Sequence, residues 1–142
     1  MSESDTILTV SFDRGFATGG VQWTLRLEGL AIFAAAVAAY GQVGGVWWLF
    51  LVLFLWPDLA FLAYIANQRV GAIVYDAVHS YIGPVLLGIL AYFADVPAMI
   101  MFALIWTAHI GLDRTIGYGL KYPISPNITH LGPKGKKSAT GE

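Results

Sequence analysis

Six carboxylate and imidazole side chains sit inside otherwise apolar stretches of this chain. His109 and Asp113 are four residues apart, Asp76 and His79 are three apart, and Glu28 and Asp58 are the lone acidic residues of their apolar runs. On a helix, spacings of three and four stack side chains on one face. Each pair would then show an imidazole and a carboxylate to the same neighbour. Nitrogen and oxygen donors without thiolate suit Zn, Fe or Mn, and the chain contains no cysteine. Disulfides, thiolate metal sites and cysteine nucleophiles are thereby excluded. The residues expected to hold a divalent metal are Glu28, Asp58, His79, His109 and Asp113, with Asp58, His79, His109 and Asp113 as the catalytic set. Asp76 and His130 are weaker candidates. Asp76 can instead accept a local hydrogen bond or cap its helix, and His130, after proline-rich turns, is more readily solvated than folded back as a lid.

A metal-bound hydroxide near the headgroup level would hydrolyse a lipid-like ester or phosphate or a small molecule. The ligand template of helical bundles, Glu with Glu-x-x-His, is matched only in part, because the order here is Asp-x-x-His at 76–79 and His-x-x-x-Asp at 109–113. A non-enzymatic alternative uses the same side chains as a proton relay, a small-ligand pocket or a structural hydrogen-bond network. No nucleophile elbow, phosphate-binding loop or dinucleotide fingerprint occurs.

The elements that must position these groups are set by composition. Of 142 residues, 57% are hydrophobic and 12% are charged, against roughly 45–50% and about 25% in soluble domains. The charges gather at the two ends and in short breaks between apolar runs, so the expected class is an all-α integral membrane protein. A net charge of −1 and the lack of a basic stripe argue against nucleic acid as a partner. Four spans are expected at about residues 23–41, 46–66, 71–93 and 96–119, each long enough for a hydrocarbon core of roughly 30 Å. Residues 1–20 read as a polar N-terminal tail and 121–142 as a Pro/Lys tail. No cleaved signal peptide is expected, which leaves the first span to target the chain. Trp47 and Trp48 suit an interface, Pro57 should kink the second span, Pro84 should free the Ser80 carbonyl, and Asp95 before Val96-Pro97 reads as an N-cap. Ala34 to Ala39 and the glycines at 117 and 119 would serve close packing within the chain or an oligomer.

Short connections make sequential spans antiparallel in a four-helix bundle. Arg14, Arg26, Arg69, Arg114, Lys121 and the tail lysines fall on one side of this zigzag, so both termini are expected in the cytoplasm, with a bacterial inner membrane as the location. The ionisable side chains then share a band roughly 5–15 Å beneath the cytoplasmic interface. A charge at a helix centre costs about 2.5–3.5 kcal/mol on insertion scales, so these groups must face inward and be paired, protonated or bound to a cation. Plainer roles exist: Asp113 beside Arg114 as a surface ion pair, Glu28 with Arg26 or Arg69, and His79 as an interhelical hydrogen-bond residue. Asp58 resists such a reading, since no basic residue is near it in sequence.

Leu25-Arg-Leu-Glu28-Gly29, Pro57-Asp58, Ala77-Val-His79-Ser-Tyr81, the block from His109 to Pro123 and Thr129-His130-Leu-Gly132 resemble a small bacterial membrane family catalogued as domain of unknown function four-two-six-zero. The resemblance covers about residues 23–132 and implies a four-helix membrane protein without an assigned activity. The family pattern would carry asparagine more often where Asp76 stands. More loosely, the chain is similar to small membrane proteins predicted to be metal-dependent hydrolases.

Overall fold

The computed structural model describes residues 16–123 and 127–133. Most of both expected tails, including Arg14, Lys134, Lys136 and Lys137, lies outside the described residues. The chain runs through α1 (Gly19–Gln42), α2 (Trp47–Phe54), a 3-10 helix (Trp56–Ile65), α3 (Gln68–Val78), α4 (Ile82–Phe93) and α5 (Pro97–Ile116). It closes with an antiparallel pair of two-residue strands, β1 (Ile128–Thr129) and β2 (Gly132–Pro133).

Three segments are long and apolar enough to cross a membrane: Gly19–Gln42, Trp47–Ile65 and Pro97–Ile116. The third expected span is α3 and α4 bent by 41°, which makes a fourth only if the bent pair counts as one. Large side chains such as Ile65, Phe93, Leu51 and Ile82 are 70–83% exposed. Such a surface suits hydrocarbon and would be an aggregation liability in water.

α5 is the central helix and packs against α1, α2 and α4. Its apolar core comprises Ala36 and Tyr40 of α1, Phe50 of α2, and Ile105 and Ala108 of α5. Tyr40 is fully buried, rests edge-on against Phe50 and Trp47, and donates its hydroxyl to the Val46 carbonyl at 2.9 Å. That bond satisfies a polar group that would be costly to strand in a membrane. The backbones of α1 and α5 approach closely at Gly29 and Gly111. A Cβ on Gly111 would lie 2.8 Å from the Phe33 nitrogen and 2.9 Å from the Gly29 oxygen.

Proline explains the two irregular spans. Pro57 has no N–H for the Leu53 carbonyl, so α2 ends at Phe54, and the Asp58 N–H bonds Leu55 at 3.1 Å. The expected kink is thus a change of helix type over ten residues, far beyond the usual 3-10 length. In the next span the Asn67 side chain caps α3 by accepting the Val70 N–H at 2.8 Å, three residues earlier than expected. The break at residues 79–81 precedes Pro84, which has no N–H to give the Ser80 carbonyl.

The expected N-cap role of Asp95 is not what the structure shows. Val96 occupies that position without a side-chain cap, and Asp95 has φ 54. Asp95 ends α4 instead. The Val96 N–H bonds Ala91 and the Asp95 N–H bonds Tyr92, a Schellman pattern whose left-handed residue is an aspartate. α5 ends the same way at Gly117, with φ 87, the Tyr118 N–H reaching the Asp113 carbonyl at 2.7 Å. This reversal sends the chain back beneath the helices. Lys121, Thr129 and Leu131 are at most 7% exposed, so these residues of the segment read as a water-seeking tail are buried.

Candidate functional site

The α5 face bearing His109 and Asp113 lies opposite the face that docks on α1 through Gly111, as 200° of rotation over two residues requires. Across from it, Asp58 begins the 3-10 helix. His79 occupies the break between α3 and α4, with φ −98 and ψ 13. The side chains converge. His109 Nε2 lies 3.3 Å from His79 Nε2, 3.5 Å from Asp113 Oδ2 and 3.6 Å from Asp58 Oδ1. His79 Nε2 is 3.6 Å from Asp113 Oδ2 and 3.9 Å from Asp58 Oδ1. Both imidazoles are buried, at 2% and 3% exposure, whereas the Asp58 side chain is 43% exposed. Asp58, His79 and His109 form a group able to hold a metal ion, and Asp113 flanks the same two nitrogens.

The break that delivers His79 frees backbone carbonyls, and α5 satisfies them. Trp106 Nε1 donates to the Val78 carbonyl at 2.7 Å, and Arg114 Nη2 donates to the His79 carbonyl at 3.1 Å. Gly83 leaves room for the Trp106 ring, which a Cβ there would strike. The His79 ring is itself fixed. Nδ1 donates to the Tyr75 carbonyl at 3.0 Å, and the Tyr75 ring stacks on it with centroids 3.7 Å apart. A carbonyl only accepts, so Nδ1 carries the proton and Nε2 turns a lone pair toward His109. His109 is held less firmly. Its Nδ1 is buried without a hydrogen-bond partner among the described residues.

One expected ligand, Glu28, and the two weaker candidates, Asp76 and His130, lie elsewhere. Glu28 lines a separate cavity of about 210 Å³ with Tyr81, Arg114 and His130. It comes from α1, on the far side of α5 from the histidine pair, so the shared depth read from sequence did not mean a shared side. Asp76 accepts the Lys121 N–H at 2.6 Å and thereby ties the returning segment to α3. His130 is not a solvated tail residue. Its Nδ1 accepts the Leu120 N–H at 2.9 Å, and Arg114 Nη1 lies within 3.3 Å of the ring. Burial, and then the Arg114 charge, pull the His130 pKa below its ordinary value. Arg114 serves these partners, and the plainer alternative of a surface ion pair with Asp113 is not formed among the described residues.

Sequence reasoning missed two neighbours of the cluster. Tyr75 stands one helical turn before His79, a spacing that could have flagged it. Lys121 was counted only as a topology charge, and nothing local marks it. Its Nζ lies 4.0 Å from the Phe61 ring centroid, 4.3 Å from that of Tyr75 and 5.6 Å from that of Tyr64. Burial lowers its pKa, while Asp113, Asp76 and Asp58 favour its charged form. A cavity of about 330 Å³, lined by Asp58, Phe61, Tyr75, Asp113 and Tyr118, adjoins the cluster.

Chemically, two imidazoles and two carboxylates fit a borderline or hard divalent cation. Metal–nitrogen bonds of about 2.0–2.1 Å in a tetrahedron put ligand atoms about 3.3–3.4 Å apart, close to the shorter separations here. Neither a curated protein nor a solved structure matches the chain, so no likeness to membrane-bound hydrolases is found among them. The family model described as Domain of unknown function (DUF4260) matches residues 22–133, and the chain belongs to that family.

Proposed function

We propose that the protein is a metal-dependent membrane hydrolase whose centre is Asp58, His79, His109 and Asp113, with Zn, Fe or Mn as the ion. The observation behind this reading is the 3.3 Å approach of two buried imidazole nitrogens, flanked by two carboxylates. The lone pair on His79 Nε2 must face either an Nε2–H of His109 or a cation between the two rings, and the two carboxylates beside them complete a nitrogen and oxygen ligand set that suits the cation. The ion would supply Lewis acidity and an activated water. His79 and His109 would hold it from the closed side. Asp58, the most exposed of the four, faces the cavity and is placed to take a proton from the incoming water. The bilayer is the immediate partner, and a lipid-like or small molecule reaching the cavity is the substrate class.

Metal analysis of gently purified protein tests this. About one ion per chain is expected, lost in His79→Ala and His109→Ala. Metal-free protein that stays folded would sink it. The alternative, in which the histidines share a proton within a structural or relay network, draws on the same 3.3 Å contact and predicts no bound metal. For orientation we propose both termini in the cytoplasm of a bacterial inner membrane, supported by the basic residues on one side of the zigzag. The absence of cysteine makes labelling direct: Ser138→Cys should be protected from an impermeant maleimide in intact cells, and Gln42→Cys should react.

A further inference from the structure

A second polar cavity lies on the opposite side of α5 from the histidine pair. Glu28 of α1, Tyr81 in the break, Arg114 of α5 and His130 between the two short strands line it, and its volume is about 210 Å³. Gly29 lets the Arg114 side chain in, because a Cβ there would strike the Arg114 Cβ. Two donors of this cavity lack an acceptor among the described residues. The Tyr81 hydroxyl is buried without a hydrogen-bond partner, and Arg114 beside it has only N–H groups to give. His130 Nδ1 accepts the Leu120 N–H, so the neutral ring carries its proton on Nε2. The group that approaches Nε2, at 3.2 Å, is Arg114 Nη1, again a donor. Glu28, the one carboxylate of the lining, accepts from neither.

Charge and depth specify the ligand. Arg114 and Glu28 cancel within the lining, and Asp113 and Asp76 also face Arg114, so a simple anion brings a charge that its surroundings do not offset. A molecule carrying both an oxyanion and an ammonium meets the donors and the carboxylate together. Trp23 and Arg26, with the guanidinium 5.0 Å from the ring centroid, mark an interface level on α1. Glu28, itself exposed, lies only about 3 Å further along the axis, where lipid headgroups meet their acyl chains. The cavity is smaller than the about 300–1,000 Å³ of sites that enclose a whole small molecule, which suits a headgroup whose chains stay outside. Tyr81 is the only aromatic ring besides the imidazole in the lining, so no cage exists for a quaternary ammonium, whereas a primary ammonium donates directly to a carboxylate.

We propose that this cavity binds the headgroup of a zwitterionic phospholipid with a primary ammonium, a phosphoethanolamine group. Tyr81, His130 and Arg114 donate to the phosphate oxygens, and Glu28 accepts from the ammonium. The site does not depend on the metal reading.

The full chain in maltoside micelles would be titrated with the dioctanoyl forms of phosphatidylethanolamine, phosphatidylcholine and phosphatidylglycerol, and with soluble phosphoethanolamine, and the bound fraction read by native mass spectrometry. Phosphatidylethanolamine should bind about ten- to hundredfold more tightly than either other lipid, as one charge-assisted hydrogen bond predicts. Glu28→Gln, a change at an exposed position, should bring phosphatidylethanolamine down to the affinity of phosphatidylcholine and leave phosphatidylcholine unchanged. Tyr81→Phe should weaken both lipids alike, by about two- to tenfold. Equal binding of the three lipids, or a preference for phosphatidylethanolamine that survives in Glu28→Gln, would overturn the proposal. Soluble phosphoethanolamine binding as tightly as the lipid would overturn the assignment to a membrane source. Each of these results leaves the metal centre standing.

Discussion

Gly111→Ala tests the packing that orients the site. The added Cβ would lie 2.8 Å from the Phe33 nitrogen, 2.9 Å from the Gly29 oxygen and 3.0 Å from the Phe33 Cα, where ordinary contact begins at 3.4 Å. All three atoms belong to the α1 backbone, so no side chain can rotate to make room. The helices must part by roughly half an ångström, which places the strain toward the upper end of the 1–3 kcal/mol typical of overpacking. Alanine also gains up to about 1 kcal/mol of helix propensity over glycine, so the net loss should be about 1–2 kcal/mol. Gly88→Ala isolates the packing contribution. Its Cβ would meet only the Ala103 Cβ, at 3.7 Å, so that variant should be neutral or stabilised by up to about 1 kcal/mol. The propensity gain cancels in the comparison, leaving a separation of about 2–3 kcal/mol between the two variants. Unfolding in mixed micelles with increasing SDS, followed by tryptophan fluorescence, measures it. Midpoints and slopes placing the two variants within about 0.5 kcal/mol of each other would refute the close approach of α1 and α5.

Trp106→Phe keeps most of the ring and removes the donor to the Val78 carbonyl. It should destabilise by about 1–3 kcal/mol in the same assay, whereas an unchanged midpoint would mean that the break is satisfied some other way. The depressed His130 pKa has a pH consequence: the folded state disfavours the protonated ring, so its contribution is present above the ordinary value of 6.5 and declines as pH falls below it. Faster exchange of the Leu120 amide between pH 7 and pH 5, after correction for intrinsic rates, is the expected signature. Asp76→Ala should loosen the Lys121 segment by about 1–2 kcal/mol, while Asp76→Asn, which keeps an acceptor oxygen, should cost less. Neither these variants nor Glu28→Gln should change the metal stoichiometry, and loss of metal in Glu28→Gln would contradict the placement of Glu28 on the other side of α5.

Much of this was legible in the chain. Long apolar runs with few charges lead to helices suited to a membrane, because unpaired backbone groups are intolerable there. The four-residue spacing of His109 and Asp113 set them on one helical face whatever packed against it, and Pro57 and Pro84 marked where two spans would lose regularity. Side was the quantity that stayed hidden. Sequence reports how deep Glu28, Asp58 and His109 lie along their helices, but rotation about each axis depends on which faces meet, and that is settled by contacts between distant residues. The near-touching backbones at Gly29 and Gly111 turn Glu28 away from the histidine pair. The reversal at Gly117 brings Lys121, more than forty residues from Tyr75 in the chain, against the Tyr75 ring. Local periodicity has no access to such pairings, because they arise only when separate helices bury surface against one another.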